Sequence, residues 1–332
     1  MAEYQGVLVC GEIADGNITS TTRELLKKGR KLSDDLKQPL SILLIGENLL
    51  EKAQEVISLG ADRVYLASGS NFSDSHPDLY AAIINGACKE LAPSIVILGQ
   101  TDMGRDVAPR LAAKLGTTVV MDCIELAIDN ETKQLLQTKP VYGGNAMATW
   151  VSESREPQVV TIRPRSGMPA ELDPSRKGEI ITLNISVDSS MIRGRLLETK
   201  REETKGINLE DAKIIIAGGG GIGGKDGFKL LEDLANVLGG AVGVTRVPCD
   251  EKWMPISMEI GQTGRIVSPN LYIAIGISGA PQHMAGCSGS KCIVAINRDA
   301  DAHLFKEADF GVVGDYKQVL SPLIEKCKAL AK

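Results

Sequence analysis

Aromatic side chains are scarce, 4% of 332 residues, which leaves little to build base-stacking surfaces for single-stranded nucleic acid. Basic tracts are absent too. The 37 Lys and Arg are outnumbered by 42 Asp and Glu, and the net charge of −5 is spread along the chain. The electrostatic footprint of a nucleic-acid binder is therefore missing. No apolar run nears the ~18 residues that cross a bilayer. The opening MAEYQGVLVCGE carries two acids and no base, unlike a secretory or transit peptide. Seven cysteines stand at 10, 88, 123, 249, 287, 292 and 327 without a C-x-x-C pair, which argues against zinc or iron–sulfur ligation and predicts reduced thiols. These absences predict a cytoplasmic protein that neither enters membranes nor holds nucleic acid.

What is present is an ordinary globular composition, 43% apolar and 24% charged, at a length of about two domains. In the first part, Gly6–Cys10, Leu40–Gly46, Arg63–Ala67 and Ser94–Gly99 read as strands. Thr21–Leu36, Leu50–Leu59 and Pro77–Leu91 read as helices between them. This alternation predicts an α/β fold whose parallel sheet is covered on both faces. Beyond Gly116 the runs PVYGGNAMATWV, PQVVTIRP and EIITLNISV lack long helices between them. They are expected to extend the same sheet by an antiparallel or mixed edge. In GRDVAPR, Gly104 and Arg105 are expected to precede a helix, with Pro109 in its opening turn, and the segment is assigned to structure or subunit docking. The charged stretch that follows Val187 has the composition of a connector. The expected division is an N-terminal α/β domain over 1–190, a linker over 191–206, and a second, mostly parallel, doubly wound unit over 207–332.

The second unit opens with AKIIIAGGGGIGG, a strand running into glycines, followed by the helical pattern KDGFKLLEDLANVLGG. Ala217–Gly224 satisfies G-x-G-x-x-G in two registers, and such a turn lets the backbone approach a pyrophosphate. A nicotinamide dehydrogenase would place an acid about 20 residues on, for the ribose. Here the next strand ends in Thr245 and Arg246, so an NADP-dependent oxidoreductase survives as the alternative through Arg246 alone. That alternative has no candidate acid or base besides His283. Further strand ends follow at Ile260–Gly264, Gly276–Gly286, Ala295–Asn297 and Gly314–Asp315, the places where open α/β sheets bind ligands.

The run VGVTR, then IGQTGRIVSPNLYIAIGISGAPQHMAGCSGSKCIVAINRDADAHLFKEADFGVVGD, resembles the α-subunit family of electron transfer flavoproteins. The likeness is nearly unbroken from about Ala212 to Leu330, and ILGQTDMGRDVAPRLAAKLG and VVTIRPRSGMP extend it over the first domain. It implies a Rossmann-like second domain that binds FAD and a first domain that packs against a β subunit. It also implies an electron carrier, not an enzyme with its own substrate, whose redox partners are flavoproteins of the acyl-CoA dehydrogenase type.

Carried onto this sequence, the resemblance places Arg246 against the flavin ring with Thr245 beside it. Gln262 and Thr263, in the turn begun by Ile260 and Gly261, would meet the ring's polar edge, Thr263 near N5. Ser278, Gly279, Ala280, Pro281 and Gln282 would approach the flavin and its phosphates, and His283, as an imidazolium, would reach O2. Asn297 and Asp315, with Tyr316 next to it, would hold the adenosine half. Several positions depart from the family pattern. Gly220 stands where an arginine is usual, so Lys225 or bare amides would have to meet the phosphates. Pro281 replaces an aliphatic residue, Tyr316 a leucine, and Cys287 a frequent methionine. Positive charge from Arg246 and His283 would stabilise electrons added to the ring.

Overall fold

A computed structural model describes residues 4–14, 16–69, 76–144, 146–152, 156–185, 187, 192, 194, 208–209 and 212–330. They form two compact units, Met1–Val141 with Ala146–Lys200, and Tyr142–Asn145 with Arg201–Lys332. Most of the expected linker over 191–206 lies outside the described residues. Among the described residues no helix is long and apolar enough to cross a membrane.

The first unit begins with β1 (Val7–Gly11), the short pair β2 (Ile13–Ala14) and β3 (Asn17–Ile18), and α1 (Ser20–Leu36). It continues through β4 (Leu40–Gly46), α2 (Leu50–Ser58), β5 (Arg63–Ser68), α3 (Pro77–Leu91), β6 (Ile95–Gly99) and α4 (Asp102–Leu115). Then come β7 (Val119–Cys123), β8 (Glu125–Ile128), β9 (Leu135–Val141), β10 (Ala146–Trp150), β11 (Gln158–Ile162) and β12 (Glu179–Thr182). Seven strands pair in the order β12-β5-β4-β1-β6-β11-β7, all parallel. Continuous apolar runs such as VLVCG and IVILG are buried along their whole length, because helices cover both faces of a parallel sheet. α1 starts where the Thr19 hydroxyl accepts the Thr22 N–H and ends where Lys37 turns left-handed.

Two expectations are corrected here. The runs after Gly116 do not add an antiparallel edge to the large sheet. β11 lies inside it, parallel to β6 and β7, and β12 pairs parallel with β5 at the far edge. The antiparallel pairing goes to a separate three-stranded sheet, β10-β9-β8. A strand of five fully buried residues needs neighbours on both sides, and an outer edge provides only one. Nor does α4 begin after Arg105. It begins at Asp102, because the Thr101 hydroxyl accepts the Gly104 N–H at 3.1 Å, which places Pro109 inside the helix.

The second unit runs through β13 (Ile214–Gly218), α5 (Phe228–Leu238), β14 (Ala241–Val244), α6 (Arg246–Asp250) and β15 (Leu271–Ile275). It closes with α7 (Pro281–Cys287), β16 (Ile293–Asn297), α8 (Leu304–Glu307), β17 (Phe310–Val313) and α9 (Tyr316–Leu330). Its sheet is parallel in the order β14-β13-β15-β16-β17. α5 packs Phe228, Leu231, Leu234 and Ala235 against Ile216 and Ile273 of the sheet. Each such side chain contributes about 1.5–3 kcal/mol when fully withdrawn from water. α5 starts later than the glycine motif suggests, since Gly220–Ile222 and Lys225–Gly227 form two 3₁₀ turns first.

Candidate functional site

In each sheet the strand order reverses beside the first strand, and an open parallel sheet leaves a crevice outside the carboxyl ends at such a point. In the first unit the reversal falls between β1 and β6, and the crevice is shut. The Thr101 hydroxyl donates to Glu12 Oε1 at 2.7 Å, and the space left between Glu12, Tyr80 and Met103 is about 20 Å³, room for about one water. Burial pushes the Glu12 carboxyl up to about 6, although the Thr101 bond opposes the rise. A half-buried acid over so small a space is no seat for a phosphate.

In the second unit the reversal falls between β13 and β15, and there a cavity of about 490 Å³ opens, within the size range of small-molecule sites. Its floor is glycine. A Cβ on Gly221 would lie 2.8 Å from both the Cα and the carbonyl oxygen of Gly276, whose own φ is +61°. Two backbones approach here as no other residue would permit. The adjacent Gly220 differs: a Cβ there would meet only Val247, at 3.2 Å from Cγ1.

Thr245 and Arg246 enter the wall at the start of α6, where the Thr245 N–H donates to Gly218 O at 3.0 Å. Arg246 is exposed and its Nε lies 3.3 Å from Asp250 Oδ2, one helical turn on. The turn Ile260–Gly264 supplies Ile260, Gly261, Gln262 and Thr263, pinned by the Gln262 N–H to Gln282 O at 2.8 Å. Ser278, Ala280, Gln282 and His283 come from the loop after β15 and from α7. Pro281 is the first residue of α7, where its missing N–H and fixed φ suit helix entry.

His283 corrects an expectation. Its Nδ1 lies 2.8 Å from Ile260 O and its Nε2 2.9 Å from the Tyr272 hydroxyl. A carbonyl only accepts, so Nδ1 carries the proton and the tyrosine donates to Nε2. Burial lowers the tendency of the ring to charge, against the Ile260 bond and the Glu259 charge, which raise it. The imidazole is therefore neutral near pH 7, and both nitrogens are engaged within the chain.

Gly279, Pro281, Asn297, Asp315 and Tyr316 do not line the cavity. Asn297 Nδ2 donates to Ile277 O at 2.9 Å and braces the loop after β15. Asp315 Oδ1 accepts the Lys317 N–H at 2.9 Å at the head of α9. The Tyr316 hydroxyl donates to Ile222 O at 3.0 Å, so this half-way conservative departure from leucine ties α9 to the glycine turn from behind. Sequence reasoning missed Gly221, Val247, Glu259, Gly276 and Ile277, all of which line the cavity. Gly221 sits in the motif already singled out, but a lone acid ahead of IGQTG carries no signal until burial is known.

Comparison with known proteins agrees with this layout. Residues 7–188 match the electron transfer flavoprotein domain, and residues 208–288 the electron transfer flavoprotein FAD-binding domain. The electron transfer flavoprotein subunit alpha of Thermoanaerobacterium thermosaccharolyticum is 42% identical over 330 residues, covering 99% of this chain and 100% of the relative. That of Bacillus subtilis is 41% identical over 98% of both chains. The acryloyl-CoA reductase electron transfer subunit beta of Anaerotignum propionicum is 32% identical, over 98% of this chain and 96% of its own.

Proposed function

Because the chain belongs to the electron transfer flavoprotein family as an α subunit, a FAD-dependent electron carrier that works with a β subunit, we propose that the cavity of its second unit holds the FAD. The observation that carries this reading is the glycine-floored crevice between β13 and β15 with a cation at its rim. The cavity of about 490 Å³ beside the glycine turn has the volume to take a flat ring. FAD, when bound, supplies the uptake and release of electrons. The side chains supply position and charge. Arg246 sets a guanidinium beside the ring, Gln262 and Thr263 present polar atoms to its edge, and the Gly220 end of the glycine turn lies against the phosphates, since the amides of Gly219, Gly221, Ile222 and Gly223 already donate to backbone carbonyls. We assign Asn297 and Asp315 to the adenosine half, with Gly279, Pro281 and Tyr316 supporting that end. His283 shapes the wall as a neutral ring. None of these residues is placed to act as an acid or base on a substrate, as suits a carrier, and the NADP reading has no observation in its favour.

We take flavoproteins of the acyl-CoA dehydrogenase type as redox partners, in keeping with a relative whose name ties it to acryloyl-CoA reductase. We take 1–190 as the domain that packs against the β subunit, its own crevice being closed by Glu12, with 191–206 as linker and 207–332 as the flavin domain. Seven free cysteines suit the reducing cytoplasm.

Co-expression with its β subunit tests the central reading. The purified heterodimer is expected to be yellow and to release FAD on denaturation, and a colourless complex that refuses added FAD would refute it. A variant sharpens the phosphate assignment. Gly220→Arg has room for its Cβ once Val247 gives by a few tenths of an ångström, and it adds a charged fork for phosphate. We expect FAD to bind about tenfold more tightly, a gain of about 1.4 kcal/mol, in a fluorescence titration of the apo heterodimer. Unchanged affinity would mean that the phosphates do not pass over this turn.

A further inference from the structure

Two ionisable side chains are buried in the cavity wall, His283 at 6% exposure and Glu259 at 5%. The partners of His283 are Ile260 and Tyr272. Glu259 has a different one: its Oε1 accepts from the Thr263 hydroxyl at 2.7 Å. A carboxylate accepts only, and a hydroxyl has a single proton and two lone pairs. Thr263 therefore commits its proton to Glu259 and has only lone pairs to offer the cavity that it lines. The backbone holds both ends of this bond. The Arg265 N–H donates to Glu259 O at 2.7 Å, and the Gly264 N–H to Gly261 O at 3.2 Å. The backbone of the turn is thus closed, and the exposed Thr263 hydroxyl is held by its bond to the buried carboxylate.

The charge of Glu259 reaches its neighbours. It favours protonation of His283 in α7, opposing burial, and it adds to the burial that pushes the Cys249 thiol of α6 up to about 11. Arg246 at the rim is exposed and paired with Asp250, so solvent weakens it, whereas a buried charge is screened much less. The two charges that flank the cavity act in opposite senses on any electron placed inside it.

We propose that Glu259 is a positioning residue of the electron-carrying site, holding the Thr263 hydroxyl as an acceptor toward the bound ring and placing a negative charge behind it, so that the ring is harder to reduce than it would be without the acid. This rests on the assignment of FAD to this cavity. Loss of the acid acts twice in one direction: it removes the negative charge, and it frees the hydroxyl to donate to a ring that gains electrons.

Potentiometric titration of the FAD-loaded heterodimer tests the idea. Glu259→Gln is expected to favour uptake of the first electron by about tenfold, a rise of about 59 mV for a one-electron couple. The same substitution made in Thr263→Val protein is expected to raise the potential by less, because no hydroxyl remains to be freed. Glu259→Asp, which keeps the charge but draws it back by one methylene, is expected to give a smaller rise than Gln. A potential unchanged in Glu259→Gln overturns the proposal, as do strictly additive effects of the 259 and 263 substitutions. If Glu259→Gln fails to fold or loses FAD, the Asp variant decides: a potential equal to that of the unsubstituted protein overturns the proposal. A heterodimer of unsubstituted chains that carries no flavin is a distinct outcome, which refutes the FAD assignment itself and this proposal with it.

Discussion

Gly221→Ala is expected to weaken FAD binding strongly, whereas Gly220→Ala, one residue earlier in the same turn, is expected to leave it nearly intact. The added methyl at 221 would sit 2.8 Å from the Cα and the carbonyl oxygen of Gly276. Those atoms are backbone, and they are held: the Gly221 N–H donates to Gly276 O at 2.9 Å, and the Gly276 N–H to Ile296 O at 2.9 Å. Relief requires the turns after β13 and β15 to part, which deforms the floor of the cavity. Overpacking of this kind costs about 1–3 kcal/mol. If that cost falls on the bound state it corresponds to roughly a 5- to 150-fold loss of affinity. At 220 the obstacle is the Val247 side chain at 3.2 Å, which moves by a small rotation. FAD content of the two purified heterodimers, with thermal unfolding to confirm that both are folded, makes the comparison. Equal retention would show that the β13/β15 crevice is not where the cofactor lies.

The second large effect belongs to Arg246. Its replacement by alanine is expected to lower the potential of the bound flavin, because a cation beside the ring stabilises the electron that arrives there. At about 6 Å and an effective dielectric constant near 20, a unit charge is worth up to about 2.8 kcal/mol. Exposure at the rim reduces that figure. A drop on the order of 50–100 mV is therefore expected, taking about 59 mV per tenfold change for one electron. Asp250 provides the control of sign. Its carboxylate lies 3.3 Å from Arg246 Nε and offsets part of the positive charge, so Asp250→Asn is expected to shift the potential upward by a smaller amount. If both variants titrate like the unsubstituted protein, the guanidinium does not act on the ring. With Glu259 buried in the cavity wall, the site would then be governed by that negative charge alone.

Much of this molecule is local, and local features are readable. β-branched runs bounded by amphipathic stretches predict the parallel sheets, and the helices over Pro77–Leu91 and Tyr316–Leu330 appear at the expected residues. Strand ends in a parallel sheet predict where ligands go, which is why Thr245, Arg246, Gln262, Thr263, Ser278 and His283 come together in one cavity. Where the pattern is only local, it misleads. Asp315 and Tyr316 follow a strand end, yet one caps α9 and the other reaches behind the glycine turn to Ile222.

By itself, the sequence determined the α/β class, the two parallel sheets and most of the residues around the cavity, because periodicity and glycine turns act over a few neighbours. Tertiary structure alone decided what state those residues are in. The neutrality of His283 comes from its burial, with hydrogen bonds to Tyr272 and Ile260, 11 and 23 residues away, and the hold of Glu259 on Thr263 depends on the turn that brings a buried carboxylate under an exposed hydroxyl. It also decided that β11 lies within the large sheet and that the first crevice is shut by Glu12. The physical reason is common to all four: desolvation and hydrogen-bond partnership are set by what the rest of the chain brings alongside.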